Sequence, residues 1–448
     1  MSFESLVEVA ESSASDSELT EAYDGERTVG VMGLNVSPKT RALEISVDYP
    51  RLTVDTMAEV LTVEGFESAG TDDDVLEVLK SEWDRQNMPV LSYLGHAEAL
   101  IQGEGYVLVG AREDGTIQTS VLARDGVAVL DDSEGRAVEA VVVYEVPNES
   151  GGTTRKAAYY TPDVIETWQY ASVGWGRVAS QPGIGRVPLI PIRNMSRLNE
   201  THGRSEMYLT LRLADVASRA FTMLQVAMEI LAMPQRWMSG ADQSKMKDQF
   251  GNPVSPEQLY LGSFLMSPNP DTKMGQFNGA NLDQIISVIE VCAKQVSAMT
   301  GIPPSMLGVS TANPASAEAM RAAKERMISR GEMKQALFGD VWEQWAHLVL
   351  LFMGRSDEGG TINTVWRDVA VASVSAKAAN LLQAHAQGVI TARTARDGIQ
   401  LTPEQKAREN ASDVYADMLG TDDRVINNML FEGDSGLDSG ADVGPSVV

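Results

Sequence analysis

The feature that most constrains this sequence is a helical pattern running from Pro314 to Met353, with Asn313 as its cap and the proline at its first position. At 1.5 Å per residue a helix of that length spans ~60 Å. No single-domain core needs one so long, and Gly331 and Gly339 within it are expected kink points, each costing ~1 kcal/mol against alanine. Two further helices are predicted upstream. Ser205 caps one that runs to Met233, before Pro234, with Leu209, Leu213, Val216, Ala220, Leu224, Ala227 and Leu231 on one stripe. The other runs from Leu282 to Thr300, with Leu282, Ile285, Ile289, Cys292, Val296 and Met299 at helical spacing, and stops at Gly301 and Pro303-Pro304. Between them residues 235–281 are rich in Gly, Pro, Asn and Ser with two short apolar runs, Gln258–Leu261 and Phe264–Met266, and are read as a small inserted subdomain. Ser305–Asn313 is uncharged and loop-like.

The first half carries a different period. Residues 1–45 are polar without a sustained repeat and are expected to form a solvated acidic arm. Thr71–Asp74 then caps an amphipathic helix, Val75–Asn87, and a second helix, Leu91–Gln102, ends at Gly103. Short β-branched runs follow at Tyr106–Val109, Val127–Leu130, Ala140–Tyr144 and Ala157–Tyr160, separated by Gly- and Asp-containing turns. The pattern predicts one antiparallel meander, closed by the extended Val187–Pro191. After the long helix, Val365–Val371 is expected as a strand, Ala376–Gln387, Thr391–Asp397 and Pro403–Leu419 as helices, and Glu432–Val448 as a disordered tail.

Charge narrows the function. The 448 residues hold 36 Lys plus Arg against 62 Asp plus Glu, a net charge of -26. A surface that acidic cannot hold DNA by phosphate attraction. Residues 1–80 account for -13 of the total and residues 399–448 for -7, leaving -6 on the middle of the chain. One cysteine, Cys292, excludes an internal disulfide framework and points to a reducing compartment. The N-terminus lacks a secretory signal pattern, and the longest apolar runs, such as Leu348–Met353, fall far short of the ~20 residues a membrane span needs.

Catalytic patterns are at background level. The chain has no Gly-Lys dipeptide, so it carries no phosphate-binding loop of the ATP-driven motors. Gly103, Gly105 and Gly110, and Gly174 and Gly176, fit turns and not a dinucleotide fingerprint. His96, His202, His347 and His385 lie singly, without metal-ligand spacing. Gly203-Arg204-Ser205-Glu206 lacks the second glycine of a nucleophile elbow, and helix capping accounts better for Ser205. The only basic stretch of note lies in the long helix, where Arg321, Lys324, Arg326, Arg330 and Lys334 outnumber Glu318, Glu325 and Glu332. Its plainest reading is a solvated helical face. Methionine is concentrated nearby, 13 of 21 between residues 206 and 335, either as core filler or as adaptable packing.

Read in order, several blocks resemble one family. They are Trp83-Asp84-Arg85-Gln86-Asn87, His96–Gly105, Val187-Pro188 through Gly203-Arg204-Ser205-Glu206, and Pro234-Gln235-Arg236-Trp237. The strongest are Thr300-Gly301-Ile302-Pro303-Pro304 to Leu307-Gly308, then Asn313-Pro314-Ala315-Ser316-Ala317-Glu318-Ala319, then Phe338-Gly339 with Trp342. This series is similar to the portal proteins of tailed double-stranded DNA bacteriophages, in the Gp6-like group of actinobacterial phages. The resemblance implies an α+β portal fold with an α/β wing, a long-helix stem, a small α/β clip, a long kinked helix and a helical crown. Residues 1–205 would be the wing, with 1–44 as its acidic arm, 206–234 and 282–304 the stem helices, and 235–281 the clip. Residues 305–315 would be a tunnel loop, 316–374 the kinked helix and a wing strand, 375–431 the crown, and 432–448 the acidic tail.

The implied protein is a ring of twelve subunits at one capsid vertex, without cofactor, metal or catalysis. It would pass double-stranded DNA without tight binding and meet the terminase large subunit, a head-tail adaptor, and the major capsid and scaffolding proteins. Ser310, Thr311, Asn313 and Ser316 are expected on the channel, Arg321 and Lys324 at the tunnel or an interface, and Lys245 and Lys247 on the clip facing motor or adaptor. Another head-tail connector or minor capsid protein is the alternative, and an enzyme of unknown class the more distant one.

Overall fold

The computed structural model describes residues 2–28, 44–68, 73–232 without 113, 133–134, 149–150, 173, 199 and 201, then 236–239, 273–276, 282–309, 317–370 without 356–359, and 374–392, with 271, 395 and 408 as isolated positions.

 The chain divides into two compact units, Met1–Arg367 and Asp368–Val448. In the second, the described element is the helix Val374–Ala386.

The N-terminal stretch expected to be a solvated arm is folded where it is described. Helix α1 (Phe3–Ser12) and helix α2 (Ser17–Asp24) are capped by Ser2 and Asp16. Each is too short to show a period, yet Leu6, Val7 and Ala10 of one and Leu19 and Ala22 of the other are buried. Their acidic residues face outward, which hid the apolar side from a compositional reading. Helix α3 (Tyr49–Val60) and strand β1 (Val63–Ser68) follow, neither of which the sequence pattern distinguished.

Helix α4 (Asp73–Arg85) and helix α5 (Met88–Gln102) match expectation, and α5 ends at Gly103, whose φ of 91° is left-handed. The expected single meander is two antiparallel sheets. Strands β2 (Glu104–Ala111), β3 (Ile117–Leu122) and β9 (Leu189–Arg193) form one, in the order β3-β2-β9. Strands β4 (Val127–Asp131), β5 (Ala137–Pro147), β6 (Thr153–Tyr160), β7 (Val164–Ala171) and β8 (Gly174–Pro182) form the other in sequence order. The first run of the supposed meander, Tyr106–Val109, pairs on both sides with partners of the first sheet. Strands β3, β7 and β8 lie outside the expected runs because they are half-exposed and mix polar with apolar residues. Helix α1 covers one face of the five-stranded sheet, where Phe3 stacks on Trp168 at 4.1 Å and meets Tyr159 and Trp175 edge-on.

A 3-10 turn (Glu206–Leu209) leads into helix α6 (Leu211–Ala232), and strands β10 (Arg236–Ser239) and β11 (Lys273–Gln276) pair antiparallel. Helix α7 (Asp283–Thr300) and helix α8 (Ala317–Phe352) complete the helical part, and strand β12 (Ile362–Trp366) returns to pair with β1. The expected strand Val365–Val371 is therefore shifted toward the N-terminus, because β1, far away in sequence, sets its register. On α6 the expected stripe is buried only in part: Ala220 is buried and Val216 exposed, while Leu211, Ala214 and Ala217, outside the stripe, are buried. The small residues sit inward because α6 and α7 lie close together around Cys292, Ala293 and Val296.

Helix α8 is continuous through Gly331 and Gly339 for its 36 residues. Its C-terminal half is the centre of the main core, with Phe338, Trp342, Trp345 and Val349 fully buried against Trp83, Leu79, Leu100 and Ile192. Trp83 lies edge-on to both Trp342 and Trp345, at 5.3 and 5.2 Å. Strand β12 lies against the helix at Gly339, where Thr364 Oγ1 donates to the glycine carbonyl at 3.0 Å.

Candidate functional site

The described structure reaches the expected tunnel loop from both sides, along the turn that leaves α7 and along α8. Gly301 ends α7 with φ 82°, and a Cβ there would sit 3.0 Å from the Met327 nitrogen of α8. Side chains lock the turn. Thr300 Oγ1 donates to the Val296 carbonyl and accepts from the Ile302 amide, and Ser297 Oγ donates to the Ile302 carbonyl at 2.6 Å. Pro304 opens a second 3-10 turn (Pro304–Leu307), closed by left-handed Gly308. Ile302 is buried, and Leu307 and Val309 pack against the α6 and α7 cluster. Within residues 301–309 the proline pair, the two glycines and the hydroxyls shape the turns.

Beside this turn lies a buried polar junction around Glu206. Ser205 accepts from the Met207 amide and caps the 3-10 turn, as expected, which holds Glu206 at the foot of α6. The carboxylate is 7% exposed and receives Arg330 on one oxygen and Lys334, at 3.0 Å, on the other. Asn194 Nδ2 also donates to it at 3.1 Å and to the Arg204 carbonyl at 2.7 Å, while Lys334 donates to Asn194 Oδ1. Arg330 Nη1 donates in addition to the last carbonyls of α7, Met299 at 2.9 Å and Thr300 at 2.8 Å. Burial, with neighbouring Arg330, pulls Lys334 down to about 8. Arg330 and Lys334 therefore do not belong to a solvated basic face; four residues apart on α8, they point together at one carboxylate.

A second buried carboxylate lies across the chain crossing. Glu104, 2% exposed, accepts from the Gly203 amide and Tyr106 hydroxyl and pairs with His202 at 3.0 Å and Arg193 at 3.4 Å. Gly103 and Gly203 touch between the two carboxylates, so closely that a Cβ on Gly203 would lie 1.8 Å from the Gly103 oxygen. His96 is fully buried, accepts from Trp342 Nε1 at 2.9 Å and stacks on Phe338. These groups are structural by position. Among the described residues, none cluster as metal ligands, and no helix is long and apolar enough to cross a membrane.

The channel positions Ser310, Thr311, Asn313 and Ser316, and the clip lysines Lys245 and Lys247, lie outside the described residues. Arg321 is on α8, though its side chain is outside the described set, and Lys324 is exposed on the same helix. What sequence reasoning missed is the Glu206 junction. Its signal was present in two places, the Ser205-Glu206 block and the Arg330/Lys334 spacing, but nothing in one dimension joins them.

Residues 18–413 match the family described as "Phage portal protein, SPP1 Gp6-like". The chain belongs to that phage portal family. Among curated relatives, a portal protein of Mycobacterium phage D29 is 34% identical over 398 residues, covering 84% of this chain and 80% of that one. A portal protein of Mycobacterium phage L5 is 32% identical over 394 residues, with the same coverage. Among solved structures, a chain from the neck of a native gene transfer agent particle, computed with C12 symmetry, is similar at 17% identity and a TM-score of 0.47, covering 89% of this chain and 99% of that one.

Proposed function

We propose that this chain is the subunit of a closed ring, of twelve copies, at one vertex of a tailed-phage capsid. The ring is the channel through which double-stranded DNA enters during packaging and leaves during ejection, and the dock for the terminase large subunit and a head-tail adaptor. Major capsid and scaffolding proteins surround it. The observation that carries this reading is membership of the portal family across residues 18–413. The wing corresponds to residues 1–205, the stem to α6 and α7, the clip to 235–281, and the crown to 375–431.

The physical chemistry supports the role. DNA must slide, and a chain of net charge -26 repels phosphates, so contacts in the channel stay sparse. Ser310, Thr311, Asn313 and Ser316 are short polar groups suited to face DNA without gripping it, with Arg321 and Lys324 at the tunnel or an interface. Lys245 and Lys247 face the motor or the adaptor from the clip. Exposed apolar side chains on α6 and α7, including Val216, Met223, Met228, Ile286 and Val291, suit packing against neighbouring copies. Electron microscopy of the purified full chain tests the reading. Ring-shaped particles with a central hole are expected, and a protein that stays monomeric in the presence of capsid and scaffolding protein would overturn it.

A further inference from the structure

The Glu206 junction does more than neutralise charge. One buried carboxylate faces two cations, and the remaining positive charge falls on the C-terminal carbonyls of α7, Met299 and Thr300, which Arg330 caps from another helix. A helix C-terminus carries about half a negative charge. The junction is therefore nearly balanced only while α7 ends there. Three helices meet at this junction: α6 starts beside the carboxylate, α8 supplies both cations, and α7 ends on the Arg330 guanidinium. Away from it, α6 and α7 are thinly held. Among their described residues, nothing beyond Thr222 on α6, or before Cys292 on α7, is buried.

We propose that Arg330 is a positioning residue: seated on Glu206, it clamps the last turn of α7 against α8 and so sets the direction in which residues 301–309 leave that helix. The consequence for a channel loop rests on the function proposed above; the clamp itself does not. The planar guanidinium suits the task, because its fork offers donors to the carboxylate on one edge and to both helix carbonyls on the other. Lys334 is the internal control. It shares the carboxylate and reaches Asn194, but among the described residues it has no hydrogen bond to α7.

Hydrogen-deuterium exchange on the full chain separates a clamp from simple neutralisation. Arg330→Gln is expected to raise exchange in peptides covering 295–309 by roughly tenfold to a hundredfold, the loss of charged hydrogen bonds, while core peptides covering 338–350 keep their protection. Arg330→Lys, which keeps the charge, is expected to loosen the same segment, and it carries the test should Arg330→Gln not fold. Lys334→Gln should leave residues 295–309 at the wild-type rate. Unchanged exchange at 295–309 in both Arg330 variants overturns the clamp, as does equal loosening by Lys334→Gln or loosening spread evenly into the core. Ring formation, scored separately by microscopy, tests the channel reading: its failure in the wild type leaves the clamp to stand or fall on exchange alone.

Discussion

Acid should remove stability from this protein through His96. The imidazole is fully buried among Phe338, Trp342 and Trp366, and burial pulls it down to about 3 from an ordinary value of 6.5. Between these values the unfolded chain binds a proton that the folded chain refuses, so stability falls as the pH drops from 6.5 toward 3 and levels off below it. The slope is about 1.4 kcal/mol per pH unit, which makes roughly 2.5 kcal/mol between pH 6.5 and about 4.5. His96→Phe retains a ring against Phe338 but leaves the Trp342 N–H without its acceptor, at a cost of about 1 to 3 kcal/mol. The variant should therefore be the less stable protein above pH 7, and the gap should close or reverse on acidification. Urea unfolding of both proteins, followed by tryptophan fluorescence at several pH values, measures this. Carboxylates elsewhere titrate alike in the two and cancel in the difference. Stability curves that stay parallel from pH 7.5 to 4.5 would refute the reasoning.

Other substitutions test the crossing and the N-terminal cover. Gly203→Ala puts a Cβ 1.8 Å from the Gly103 carbonyl oxygen, backbone against backbone, and should cost about 3 kcal/mol or more; an unchanged melting temperature would show that the two segments can separate freely. Phe3→Ala removes the ring stacked on Trp168. Since Phe3 is half-buried, a loss of about 2 kcal/mol is expected, below that of a core phenylalanine. It should appear as faster exchange and proteolysis within residues 3–12, with protection of the Trp342 core intact, and uniform loosening of the whole chain would contradict it.

Much of the helical plan is legible in one dimension. The capping of Ser205, the stop at Gly301 and the long run ending near Met353 are local matters of hydrogen bonding and backbone freedom, which a few neighbouring residues decide. The same holds for α4 and α5, whose apolar spacing is strong. The buried side of α6 departs in part from the periodic stripe, because periodicity shows that a helix has an apolar side but not which neighbour approaches it. Here the close approach of α7 selected alanines over the larger Leu and Val side chains. Strands β3, β7 and β8 and helices α1 and α2 are too short or too mixed in polarity to declare themselves, and they form because a partner elsewhere supplies the other half of their burial.

The acidic balance, the order of the long helices, the proline and glycine turn at 301–308, and the ordered blocks that mark the portal family can all be read along the chain. The pairing of β12 with β1, the meeting of Gly103 and Gly203, and the arrival of Arg330 and Lys334 at Glu206 from more than a hundred residues away emerge only in three dimensions. The reason is physical. Caps, turns and periods depend on groups a few residues apart, whereas a buried charge is tolerated only where distant segments bring the opposite charge and the hydrogen bonds to meet it.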